Sequence, residues 1–149
     1  MKKKPKPAKK NASAFVLDGS IALAWCFPDE KAPYPQSVLD ALLDTPAIVP
    51  ALWHLEVANC LLVGERRKRS TSADTAIWLP FLQALPITVD TETALRAWSD
   101  TLGLARIHNL SVYDASYLEL SLRRGLPLAT LDDKLTQAAI ASGVIAFTP

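Results

Sequence analysis

Four carboxylates occupy positions that call for an explanation: Asp18, Glu56, Asp114 and Asp132. Asp18 closes the apolar run Phe15-Val16-Leu17 and is followed by Gly19 and Ser20. Read locally it is a turn or helix N-cap residue, since Asp and Ser both favour helix entry. Glu56 has Leu52, Leu55, Cys60 and Val63 at i−4, i−1, i+4 and i+7, with Asn59 as the one polar companion at i+3. That spacing puts it on a largely apolar helix face. A carboxylate buried there without a partner is costly, so either Glu56 snorkels at the helix edge or a cation compensates it. In Ser111-Val112-Tyr113-Asp114 the spacing is that of a capping box, which would occupy Asp114 with backbone donors. In Thr130-Leu131-Asp132-Asp133 the expected N-cap is Thr130, with Asp133 in the box position. Asp132 is then left with no local task beyond a favourable place at a helix N-terminus.

Each segment has a local reading, and the four together have a common one. Carboxylates brought close repel one another and require a cation or shared protons. Mg²⁺ suits such a group, because it takes oxygen ligands and keeps several waters. An acid-lined metal site also lets a protein of acidic surface act on phosphodiesters. His54 lies two positions before Glu56, so a helix turns it away. It and His108 are read as surface or packing residues, since hard Mg²⁺ prefers oxygen. The run Arg66-Arg67-Lys68-Arg69 is either a solvated helix C-terminus or a site for RNA phosphates. The four tryptophans, Trp25, Trp53, Trp78 and Trp98, are expected in the core or at an interface. Cys26 and Cys60 lack metal-ligand spacing and are expected to be buried thiols in a reducing compartment.

The elements that must position these residues alternate along the chain. Short strand-like runs lie at Ala14–Leu17, Ala47–Val49, Pro86–Val89, Leu126–Thr130 and Val144–Phe147. Helices are expected over Ala51–Arg69, Thr91–His108 (weakened by Gly103), Ser111–Arg124 and Thr130–Ala141, the last capped by Gly143. Strands alternating with helices imply βαβ units and a mostly parallel sheet covered on both faces. Ligands of such sheets sit beyond the carboxyl ends of the strands, where Asp18 and Asp132 fall.

The chain has 149 residues, half of them hydrophobic, which suits one domain with a substantial core. Its net charge of +1 conceals an asymmetry: residues 1–10 hold six lysines and no acid, and the remainder carries a balance of −5. Residues 1–12 are expected to be a disordered basic tail, either solubilising or phosphate-binding. No apolar run is long enough for a membrane span and no signal peptide is evident, so the expected location is cytoplasmic.

Four segments taken in order resemble the PIN-domain family, in particular the VapC-type toxins of type II toxin–antitoxin systems: Val16–Ser20, Val49–Asn59, Leu110–Tyr117 and Pro127–Asp132. The resemblance spans roughly residues 14–147 and makes residues 13–149 a PIN-like nuclease domain. It implies a three-layer α/β/α sandwich and Mg²⁺- or Mn²⁺-dependent endoribonuclease activity on an RNA substrate. It also implies a homodimer and a small cognate antitoxin protein. Asp18, Glu56, Asp114 and Asp132 fall on the family's acidic quartet, and Ser20, Asn59 and Thr130 on its supporting polar positions. The resemblance implies that Asp18, Asp114 and Asp132 hold the metal while Glu56 handles the attacking water. Gly19 departs from the pattern, and it is expected to loosen the turn that aims Asp18.

Two rival readings remain. A phosphatase-like or receiver-like protein needs a second acid beside the first or two residues on, and Leu17, Gly19 and Ser20 surround Asp18 instead. A degenerate PIN fold acting as an RNA- or protein-binding module would not need all four acids.

Overall fold

The structure is a computed structural model and describes residues 12–149. The expected basic tail lies outside the described residues but for Ala12. The elements run β1 (Phe15–Leu17), α1 (Gly19–Cys26), a 3-10 turn (Pro28–Glu30), α2 (Pro33–Ala41), β2 (Ala47–Val49), α3 (Trp53–Arg66) and α4 (Ser72–Gln83). They continue with β3 (Ile87–Val89), α5 (Thr93–Arg96), a π-helical segment (Ala97–Thr101), α6 (Leu102–His108), α7 (Val112–Arg124), β4 (Leu128–Ala129) and α8 (Asp133–Ala141).

The four strands form one parallel sheet in the order β3-β2-β1-β4. Phe15 and Val16 pair with Ala47 and Ile48, and Val16 and Leu17 with Leu128 and Ala129. The central strand β1 is 0% exposed along its length. An unbroken apolar triplet therefore belongs there, because both faces of the strand are covered. Helix α1 packs with α2 and α3, and α7 packs with β1, β4, α6 and α8. The result is a three-layer α/β/α sandwich with an all-parallel sheet.

Several expected elements are reshaped. The fifth strand, Val144–Phe147, is reduced to one bridge between Leu128 and Ala146. Its partner β4 is only two residues long, because Thr130 leaves the sheet to reach Asp18. Phe147 is nevertheless buried and stacks on Phe15, with ring centroids 3.9 Å apart. The helix expected over Thr91–His108 is broken into α5, the π segment and α6, and the break falls before Gly103. Gly143 follows α8 with φ 80°, the left-handed conformation that suits glycine after a helix. Helix α4, which the hydrophobic pattern did not single out, is opened by a complete capping box between Thr71 and Asp74.

Helix α3 buries Trp53, Val57, Leu61 and Gly64. Its stripe of Leu55, Glu56 and Cys60 therefore runs along the flank, with Leu55 75% exposed. The apolar face expected around Glu56 is thus not the buried one. Cys60 is exposed rather than buried, whereas Cys26 is buried, its thiol pushed up to about 11 by desolvation. Gly64 has to be glycine: a Cβ there would lie 2.8 Å from Cζ of Phe27.

The helix ends at Arg66, and Lys68 adopts φ 57° and turns the chain. Arg69, though exposed, folds back onto Asp29 at 2.8 Å and over the Phe27 ring at 3.9 Å. Among the described residues no helix is long and apolar enough to cross a membrane.

Candidate active site

The candidate site is built at the carboxyl ends of β1 and β4. Asp18 follows β1 directly and is 7% exposed. Its Oδ2 accepts hydrogen bonds from Ser20 Oγ at 2.6 Å and Thr130 Oγ1 at 2.7 Å. Ser20 Oγ in turn accepts from the Leu131 amide at 3.0 Å, tying α1 to the loop after β4. Burial pushes the Asp18 carboxyl above its ordinary range against the pull of the two hydroxyls, and Asp132 pushes the same way.

Asp132, rather than Thr130, caps α8, with Oδ1 accepting from the Leu135 amide at 2.8 Å. Thr130 Oγ1 is instead engaged away from the helix end, donating to Asp18 and accepting from the Asp132 amide at 3.0 Å. Ser111 caps α7 by accepting from the Asp114 amide at 3.0 Å. Among the described residues, the Asp114 carboxylate makes no return bond to Ser111. The box is half-made, and the carboxylate is not spent on it. Asp114 is raised by burial first, then by Asp132 and Asp18. Glu56, on α3, is raised by burial first; the Tyr117 hydroxyl opposes this, and Asp18 and Asp114 add to it.

Asp18, Glu56 and Asp114 are thus each raised partly by other members of the quartet, and among the described residues none of the four acids has a salt bridge. Among the described residues no three His, Cys, Asp or Glu side chains stand close enough to chelate an ion directly. The proximity is therefore electrostatic rather than that of a closed cage. An all-oxygen set of this kind fits Mg²⁺ or Mn²⁺, which keeps waters and needs few direct carboxylates. Like-charged acids, partly buried and without a cation, are also what an ion would relieve.

At Gly19 a small side chain would fit. Gly19 is the buried first residue of α1, and a Cβ there would sit 3.7 Å from Val57 Cγ2 and 4.0 Å from Tyr117 Oη, both ordinary contacts. Asn59 is exposed, and among the described residues its side chain makes no hydrogen bond to the carboxylates. His54 is exposed beside Trp53, and His108 Nε2 lies 3.0 Å from Ser142 Oγ. Trp53 is core and Trp25 and Trp78 are partly buried, whereas Trp98 is 94% exposed on the π segment.

Two features escaped sequence reasoning. Tyr117, 0% exposed, donates its hydroxyl to Glu56 Oε1. The only signal was its place three residues after Asp114. The second is a cluster around Arg123, which meets Asp90 at 2.7 Å, Glu119 at 2.8 Å and Glu92 at 2.9 Å. The i,i+4 spacing of Glu119 and Arg123 hinted at one of these pairs.

The PIN domain family profile matches residues 15–141. Comparison with curated protein sequences gives no match. Among solved structures, the chain is similar to PAE2754 from Pyrobaculum aerophilum, with TM-score 0.65 and 21% identity over 94% of this chain and 92% of that one. It is also similar to FitAcB from Neisseria gonorrhoeae, with TM-score 0.53 and 19% identity over 91% of this chain and 97% of that one.

Proposed function

Because the chain belongs to the PIN domain family, whose members are generally nucleases, we propose that it is a metal-dependent endoribonuclease of the VapC type. In that reading it is the toxin of a type II toxin–antitoxin system acting in the cytoplasm. What supports this is the group of four carboxylates, in which Asp18, Glu56 and Asp114 are each raised partly by their acidic neighbours, Asp18 is held by two hydroxyls, and none has a salt bridge among the described residues.

Asp18, Asp114 and Asp132 would hold Mg²⁺ or Mn²⁺, directly or through water. When bound, the ion supplies a polarised phosphate oxygen and charge relief for the leaving oxygen. Ser20 and Thr130 fix the Asp18 carboxylate, so it needs little reorganisation to meet a cation. Asp132 is held in place by its cap to Leu135, which uses one of its two oxygens. Glu56 orients the attacking water and accepts its proton, a task favoured by a proton affinity above that of an ordinary carboxylate.

The test is incubation of antitoxin-free protein with structured RNAs in Mg²⁺, in chelator, and as Asp18→Asn. Cleavage that requires Mg²⁺ and drops at least about a hundredfold in the variant is expected, since even groups one shell out from a metal cost 10–100-fold. Undiminished cleavage by Asp18→Asn, or cleavage in chelator, refutes the assignment.

A homodimer and a small antitoxin are part of the same proposal. They are supported by apolar side chains left open on α3, α4 and the π segment, including Leu55, Ile77 at 71% exposure and Trp98. Light scattering on the purified protein should give twice the chain mass, and co-expression with a short neighbouring reading frame should abolish cleavage. A monomer indifferent to that product contradicts this part.

A further inference from the structure

We propose that Tyr117 is the positioning residue for Glu56: its buried hydroxyl on α7 donates to Glu56 Oε1 on α3 and fixes that carboxylate relative to Asp18 and Asp114. The inference rests on the nuclease reading above and deepens it.

The two residues are 61 positions apart, and the contact joins helices that meet only in the fold. Tyr117 follows Asp114 by three residues, so a single helix turn presents an acid and the hydroxyl on the same side. The ring is fully enclosed, and among the described residues Glu56 is the only side chain bonded to its hydroxyl. The first turn of α1 packs close by, since a Cβ on Gly19 would be 4.0 Å from Tyr117 Oη. Glu56 itself is only half-buried and sits on a helix flank beside the exposed Leu55 and Cys60. Among the described residues no other group donates to its carboxylate. A glutamate has three rotatable side-chain bonds, and without that donor nothing in the surroundings selects one orientation. With Oε1 held, the second oxygen has no hydrogen-bond partner among the described residues. A displacement of about 1 Å in such a group costs on the order of a hundredfold in rate.

The experiment compares wild type, Tyr117→Phe, Glu56→Gln and the double variant, with two readouts. In steady-state RNA cleavage with Mg²⁺, Tyr117→Phe should lower kcat about 10–100-fold while KM stays within about twofold, because the RNA-contacting surface is unchanged. The double variant should be no slower than Glu56→Gln alone, since the hydroxyl acts only through that carboxylate. In proton NMR of the metal-free protein, a slowly exchanging hydroxyl resonance should appear downfield of the amides. It should vanish in Tyr117→Phe and move upfield in Glu56→Gln.

Wild-type kcat in Tyr117→Phe, or multiplicative losses in the double variant, overturns the proposal while leaving the nuclease reading intact. Wild-type protein inert in both Mg²⁺ and Mn²⁺ overturns the reading and the proposal together. If Tyr117→Phe does not fold, the response of the hydroxyl resonance to Glu56→Gln decides; a resonance that is absent or unmoved counts against the contact.

Discussion

Two groups of acids in this molecule are built from the same residue types and behave in opposite ways. Near the carboxyl ends of β1 and β4, Asp18, Glu56, Asp114 and Asp132 form a group in which hydroxyls are the donors to Asp18 and Glu56. Beyond β3, Asp90, Glu92 and Glu119 converge on the single guanidinium of Arg123, itself largely buried. Burial raises Asp18, Glu56 and Asp114, and among the described residues no Lys or Arg pairs with them to oppose it. Burial also pushes on Asp90, but the hydrogen bonds and charge of Arg123 outweigh it and leave that carboxyl below its ordinary range. Arg123 is correspondingly held above its usual value by Glu119 and Asp90. One group is organised around a counter-charge and holds the β3–α5 turn to α7. The other is left in need of a cation. Counter-charge, not the number of acids, separates a structural cluster from a candidate active site.

Removing the counter-charge should break the contrast most strongly. Arg123→Met leaves Asp90 and Glu119 buried without their partner, and losing one side of a buried ion pair costs about 3–5 kcal/mol. The urea midpoint of the variant should fall accordingly. A midpoint near wild type would show that the cluster is solvated and carries little stability.

Supplying a counter-charge to the other group should act in the opposite direction. Mn²⁺ at about a hundred times its dissociation constant should stabilise the fold by about 2.7 kcal/mol, seen as a rise in melting temperature. The same titration on Asp18→Asn should give a much smaller rise, and on Arg123→Met a rise like that of wild type. Equal rises in wild type and Asp18→Asn would place the ion elsewhere.

These two clusters also show where the sequence was legible. The strands β1 and β2 were readable because unbroken apolar triplets have few other uses, and Asp18 at a strand end followed from that. The caps were not readable, because the rules that govern them are local and symmetric. Thr71-x-x-Asp74 and Ser111-x-x-Asp114 share one spacing. Asp74 spends its carboxylate on the box and Asp114 does not. Thr130 and Asp132 were each able to cap α8, and the choice was made by Asp18, 112 positions before Thr130. Periodicity placed Glu56 on an apolar stripe, but which stripe of α3 is buried depends on packing against Phe27 and the core. Tyr117 stood inside a recognisable segment, yet its role depends on a carboxylate on another helix. Arg123 needed the end of β3 to be in place before its partners existed.

Acidity should sharpen the contrast by a smaller amount. Ordinary unfolded values are about 3.9 for Asp and 4.3 for Glu. Asp18, Glu56 and Asp114 have raised values in the fold, so their penalty is absent below about pH 4 and grows as pH rises through those raised values. Asp90 has a lowered value, so its contribution is present above about 3.9 and is lost as pH falls through the folded value. Metal-free protein should therefore melt at a higher temperature at pH 5 than at pH 7. Asp114→Asn should narrow that difference, and saturating Mn²⁺ should remove it. A melting temperature that does not change over this range would show that the cleft acids are not strained by one another.

The smallest expected effect tests whether the Arg123 side of the molecule is independent of the cleft. Gly103 lies in the first turn of α6, beside Arg96, Glu119 and Arg123, and a Cβ there would meet nothing within 4 Å. Its φ is not in the left-handed region, so no backbone demand holds it to glycine. Alanine inside a helix is favoured over glycine by roughly 0.5–1 kcal/mol, mainly because the unfolded chain has less freedom to lose. Gly103→Ala should raise the denaturation midpoint by that amount and leave Mg²⁺-dependent cleavage and its KM unchanged. A stabilised protein with altered cleavage would show that α6 and α7 communicate with Asp114, and the two acid clusters would then have to be treated as one coupled system.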